Sequence, residues 1–80
     1  MIFKLGSKRT IVATRIEYLE ITNVSLRVYT NASVYFIDGE IDVLEHIKEY
    51  LEYLVKGDID DYELDDKHVR SISVTVDKKH

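Results

Sequence analysis

Only one stretch of this chain sets apolar residues at helical spacing: Val43, Leu44, Ile47, Tyr50, Leu51, Leu54 and Val55 recur every three or four residues and form a single face. Its ends carry their own signals. Asp42-Val43-Leu44-Glu45 has the form of a capping box, with Asp42 placed to accept the amide of Glu45. Lys56 compensates the helix dipole in the last turn, and Gly57 follows where a left-handed conformation costs least. The pattern predicts a helix from Val43 to Lys56, about 21 Å long. A chain with one helix must bury that face on a sheet.

The rest of the sequence supplies the sheet. β-Branched and aromatic residues alternate with polar ones at period two, which predicts strands near Ile2 to Leu5, Ile11 to Ile21 (bulged near Tyr18-Leu19), Val24 to Thr30, Ser33 to Ile37 and Val69 to Val76. Gly6-Ser7, Thr22-Asn23 and Asn31-Ala32 read as hairpin turns. The Asn-x-Ser triplets at Asn23 and Asn31 read as turn chemistry rather than glycosylation sites. Asp58 to Asp66 is expected to be a loop, with or without a helical turn, and with Ile59, Tyr62 and Leu64 as anchors, because its charge density argues against a buried element. In the last strand Ile72, Val74 and Val76 point one way and Ser71, Ser73 and Thr75 the other. The expected fold is α+β: one domain over residues 1–80, a small antiparallel sheet in the order ββββαβ, packed on one face by the amphipathic helix.

Eighty residues with no cysteine exclude a disulfide framework, a thiolate zinc site and a cysteine nucleophile together. Stability has to come from packing. One helix cannot cover five strands, so a homodimer that shares the second face is expected. The absence of Pro, Trp and Gln beside abundant Ile, Val, Tyr, Lys and acidic residues is a mix that thermophile proteins also show. Met1 to Leu5 holds too few apolar residues for a signal peptide, and no window reaches the roughly 20 needed to span a bilayer. The expected location is cytoplasmic, with no membrane partner.

Charge is unevenly distributed. Between Asp38 and Asp66 there are twelve acidic residues against Lys48 and Lys56, a net of −10, while the remainder carries +6. Asp42, Glu45, Glu49 and Glu52 recur at intervals of three and four and line the helix face opposite the apolar stripe. With Asp58, Asp60, Asp61 and Glu63 of the acidic segment they form a row that a basic groove on another protein could accept in place of nucleic-acid phosphates. The plainer alternative is a solvated helix face. Against it stands the imbalance: Glu45 and Glu49 repel by about a few tenths of a kcal/mol, and Glu52-Lys56 is the one well-oriented compensating pair.

Six tyrosines against two phenylalanines form the second feature, and Tyr29, Tyr35, Tyr53 and Tyr62 are candidate partner contacts. If Val24, Leu26 and Val28 face the core, Arg27 and Tyr29 face away. If Val34 and Phe36 do too, Tyr35 and Ile37 join that outer patch. Tyrosine is equally a good strand residue with no partner at all.

No nucleophile with a local base, glycine-rich phosphate loop or acid pair is present, so no catalytic residue and no cofactor are expected. His46, His68 and His80 lack metal-site spacing and read as surface residues. Arg15-Ile16-Glu17-Tyr18-Leu19-Glu20-Ile21, followed by the alternating Val24 to Thr30 and a helix, resembles the start of a LytTR-type DNA-binding domain. That resemblance implies DNA binding, with His68-Val69-Arg70-Ser71 echoing the family's later basic segment. It covers less than half the chain, and acidic Asp58 to Asp66 opposes such a role, so the family is not adopted.

The functional expectation is a small non-enzymatic interaction module, of the kind used as a viral or mobile-element accessory or inhibitor. It would present an acidic, DNA-mimic-like helix and loop to a basic protein partner, such as a nucleic-acid-binding protein. The alternative is a nucleic-acid-binding module using Lys8, Arg9, Arg15, Arg27 and Arg70.

Overall fold

The computed structural model describes residues 1–6 and 9–76. The chain is an α+β fold of mostly antiparallel strands with one helix packed on them. The strands are β1 (Ile2–Leu5), β2 (Arg9–Val12), β3 (Ile16–Ile21), β4 (Ser25–Thr30), β5 (Ser33–Asp38), β6 (Asp61–Leu64) and β7 (Ser71–Val76), and the helix α1 (Ile41–Lys56) lies between β5 and β6. They divide into two sheets. One has the order β2-β1-β6 and the other β3-β4-β5-β7, every pairing being antiparallel except that of β1 with β6.

The single strand expected over Ile11 to Ile21 is two strands. The chain turns a corner at Ala13–Arg15, a single 3-10 turn. Ala13 is buried there, and its amide donates to the Met1 carbonyl at 3.0 Å. The bulge falls at Glu17, between Ile16 and Tyr18, slightly earlier than expected.

Asp61-Tyr62-Glu63-Leu64 is a strand, which corrects the expectation of a loop. Its four residues alternate. Tyr62 and Leu64 point to the core opposite Phe3 and Leu5 of β1, while Asp61 and Glu63 point to solvent opposite Ile2 and Lys4. Charge marks one face of the segment and does not prevent the other from being buried. A second 3-10 turn, Asp66–His68, leads to β7.

The helix begins at Ile41, two residues before the predicted start, and Asp42 does not cap it. Glu40 takes the cap position in an extended conformation with no side-chain cap, and its carbonyl accepts the Leu44 amide at 3.0 Å. The reason lies in the preceding residue: buried Gly39 donates to the Val24 carbonyl at 3.2 Å, which pins the junction and starts the helix directly after it. Asp42 sits in the first turn, where its charge still favours the dipole.

The C-terminal end matches its sequence signal. Gly57 has φ 84°, and the Gly57 and Asp58 amides donate to the Leu54 and Tyr53 carbonyls at 3.1 and 2.8 Å. A β-carbon at Gly57 would meet only the Met1 Sδ, at 3.9 Å, so a substitution there is resisted by backbone conformation alone. Gly57→Ala is expected to cost about 1 kcal/mol and lower the melting temperature by about 4–8 °C in a thermal scan, with Gly57→Asn losing less.

Leu44, Ile47, Leu51 and Leu54 carry the helix into the core, where they meet Phe3 and Leu64 of the first sheet and Leu26, Val28 and Ile37 of the second. Val55, placed on the apolar stripe by spacing, is 46% exposed. The helix packs on β1, β6, β3 and β4, so it holds the two sheets together.

Candidate functional cleft

The helix lies beside the free edge of β6, and the two elements leave a cleft of about 330 Å³ between them. Four residues come from the first turns of α1 (Asp42, Val43, His46, Ile47). The others are Tyr62, Glu63, Leu64, Asp65 and His68, from β6 and the turn after it. Spacing explains the helix side: Val43 and Ile47 lie one turn apart on the apolar face, while Asp42 and His46 border it. The floor is therefore aliphatic and the rim acidic.

Tyr62 forms an aromatic wall fixed from both sides. It stacks on Phe3 with ring centroids 5.6 Å apart and on Tyr50 at 5.2 Å, and Tyr50 in turn meets the edges of His46 and Tyr53 at 4.9 and 6.2 Å. Burial pushes the Tyr62 phenol above its usual range, and neighbouring Tyr50 adds to the shift. On the rim, Asp65 accepts the Lys67 amide at 3.0 Å and lies 3.7 Å from His68 Nε2. Among the described residues no group of three or more His, Asp or Glu is arranged to hold a metal ion.

The structure separates the residues that the sequence grouped. Asp42 and Glu63 line the cleft, whereas Glu45 and Glu49 stay exposed along the helix. Glu52 pairs with Lys48 at 3.1 Å, not with Lys56 as expected, since both lysines lie four residues from it and only one geometry is occupied. Asp61 accepts the Ile2 amide at 3.1 Å and so belongs to the β1–β6 pairing. Asp58 and Asp60 are exposed in the turn after the helix. Asp65, His46 and His68 were absent from the expected set. The signal that finds them is the alternation of β6, which places the turn after Leu64 against the start of the helix.

The tyrosines also part company. β5 alternates in the opposite sense to the one considered: Ile37 is fully buried and Tyr35 packs against the core, while Val34 and Phe36 face outward with Arg27 and Tyr29. The register decides this, because Leu26 pairs with Ile37 and Val28 with Tyr35. On the outer face Tyr18 and Tyr29 stack at 4.2 Å, and Arg27 lies 5.6 Å above the Phe36 ring. Arg27 and the Tyr29 hydroxyl both donate to Glu20 Oε1 at 3.0 Å. Loss of solvent and the Tyr29 hydroxyl raise the Tyr18 phenol, and Tyr29 and Glu20 hold the Arg27 proton more firmly. Tyr53 is exposed on the helix.

Of the basic residues, Arg27 is paired with Glu20 and Arg70 with Glu40 at 3.5 Å. Arg9 and Arg15 lie on β2 and on the corner after it, and Lys8, Lys78, Lys79 and His80 fall outside the described residues. Among the described residues no helix is long and apolar enough to cross a membrane. No family model matches the chain, and comparison with curated proteins and with solved structures finds no match either.

Proposed function

We propose that this chain is a non-enzymatic interaction module that receives a basic side chain of a protein partner in the cleft between α1 and β6. The observation that carries the reading is the composition of that cleft: Val43, Ile47 and Leu64 below, Tyr62 as a wall, and Asp42, Glu63 and Asp65 around the mouth. Lysine and arginine are apolar stems with charged heads, so they suit a hollow that is apolar inside and anionic at its opening. The exposed row Glu45 and Glu49 extends the negative field beyond the mouth, which speeds encounter more than it holds the complex. A nucleic-acid-binding protein offers such a basic surface, and an accessory or inhibitory factor would act by occupying it.

Fluorescence anisotropy with a short labelled lysine- and arginine-rich peptide tests this. Asp42→Asn, Glu63→Gln and Asp65→Asn combined are expected to weaken binding by about 3-fold to 150-fold, each carboxylate contributing about 0.2–1 kcal/mol as an exposed pair. Glu45→Gln with Glu49→Gln is expected to change mainly the salt dependence. Equal affinity for a neutral peptide of the same length, or no loss in the triple variant, would sink the proposal. A labelled oligonucleotide in the same assay reports on the nucleic-acid alternative, in which Arg27 and Arg70 would first have to leave Glu20 and Glu40.

A further inference from the structure

The two sheets present four edges, and three are guarded. β2 is four residues long and begins with Arg9. β3 carries Glu17 and Glu20 and is broken by the bulge at Glu17. β6 is four residues long and carries Asp61 and Glu63. Short length, charge and bulges are the usual means of keeping an edge strand from pairing with another chain.

β7 has none of them. Ser71-Ile72-Ser73-Val74-Thr75-Val76 is six residues long, uncharged and free of proline, and it pairs with β5 along its whole length. It lies at the edge of the order β3-β4-β5-β7, and among the described residues no strand pairs with the backbone donors and acceptors of its other side. The strand is held firmly at its start, where the Arg70 amide and the Ser71 hydroxyl donate to Asp38 at 2.7 and 3.0 Å. On its core-side face Val76 remains 59% exposed.

We propose that β7 is a dimerisation edge, and that its partner is the β7 strand of a second copy of this chain, paired antiparallel about a two-fold axis normal to the sheet. Such an axis keeps each face on its own side, so only residues of the same face can lie opposite one another. The strand satisfies that rule in chemistry as well as geometry. Ile72 lies opposite Val76 of the second copy, Val74 opposite its counterpart, and Ser73 opposite Thr75, giving β-branched pairs on one face and hydroxyl pairs on the other. The exposed Val76 is covered in the process.

Charge does not oppose a second copy despite the net −4 of the chain. The helix sits on the β3–β4 side of the sheet, so two or more strand spacings of about 4.8 Å separate its carboxylates from the seam. That is about a Debye length or more at physiological salt, and the repulsion between acidic helices is screened. The assembly also closes. Once two β7 strands pair, the remaining edge of the eight-stranded sheet is β3, whose glutamates and bulge stop further addition.

Light scattering and sedimentation from low micromolar to near-millimolar concentration test the proposal. The wild type is expected to reach twice the chain mass of 9.4 kDa. Ser73→Lys with Thr75→Lys, and Ser73→Glu with Thr75→Glu, are each expected to remain monomeric with an unchanged circular-dichroism spectrum. Ser73 and Thr75 are both solvent-exposed on the outer face. Mixing the two variants is expected to restore the dimer, because lysines then face glutamates across the seam. Amide exchange on the wild type needs no variant: β7 amides should slow as concentration rises. A wild type that is monomeric throughout, variants that dimerise as it does, or β7 exchange independent of concentration would each overturn the assignment.

Discussion

Leu64→Asp is expected to unfold most of the protein at room temperature, although it adds one more carboxylate to a segment that already has many. Leu64 is 4% exposed and lies opposite Leu5 in the parallel pairing of β6 with β1. Removing its side chain forfeits about 2–5 kcal/mol of packing, and leaving an unpaired carboxylate in its place costs several kcal/mol more. A domain of this length is stabilised by only about 4–12 kcal/mol in total. Asp58→Asn, six residues earlier on the exposed turn, is expected to change stability by less than about 0.5 kcal/mol. Urea denaturation of the two variants gives the comparison. If Leu64→Asp behaved like Asp58→Asn, β6 would not be part of the core.

The same residue shows why part of the fold was legible and part was not. Tyr62 and Leu64 were recognised as anchors because they are the large apolar residues of an acidic stretch. The strand is hidden in the sequence because four carboxylates in six residues, Asp60 to Asp65, outweigh a two-residue alternation. Pairing decides such cases, and the partner, β1, lies more than fifty residues away in the chain. The helix was legible because its signals are local: the stripe and the glycine after Lys56 need no distant partner. Its first turn was not, since Gly39 is held by Val24 across a hairpin. The division into two sheets falls at the corner Ala13–Arg15, where the Ala13 amide is held by the Met1 carbonyl, a contact twelve residues away that alternation alone does not reveal.

The site divides along the same line. Asp42 and Glu63 were singled out for charge, and the structure brings them to one cleft. Asp65 and His68 join them because the chain turns back after β6, and the short alternation of β6 just before them is the one signal of it. The reverse holds for Tyr35: alternation puts it on the outer face only if Val34 and Phe36 face the core, and register places it against the core instead. A one-residue difference in phase moves every side chain of a strand to the other face. Hence the charged residues, whose exposure hardly depends on register, were located better than the tyrosines.

Phe3→Ala should cost about 3–5 kcal/mol, the usual loss for a buried phenylalanine, and lower the melting temperature by about 15–30 °C. Phe3 is fully buried at the centre of the first sheet, opposite Ile11 on one side and Tyr62 on the other. The milder Phe3→Leu keeps most of the apolar volume but removes the stacked ring, so it isolates what the aromatic contact adds. A double-mutant cycle of Phe3→Leu with Tyr62→Leu is expected to give a coupling of about 0.5–1.5 kcal/mol. The consequence reaches the cleft, because Tyr62 is held between Phe3 and Tyr50 and the freed ring loses one of its two supports. Basic-peptide affinity should therefore fall in Phe3→Leu even though Phe3 does not line the cleft. The fall should be absent in Tyr62→Leu carrying the same change, since the wall being positioned is already gone. A Phe3→Leu protein that is less stable yet binds as tightly would mean that Tyr50 alone sets the wall.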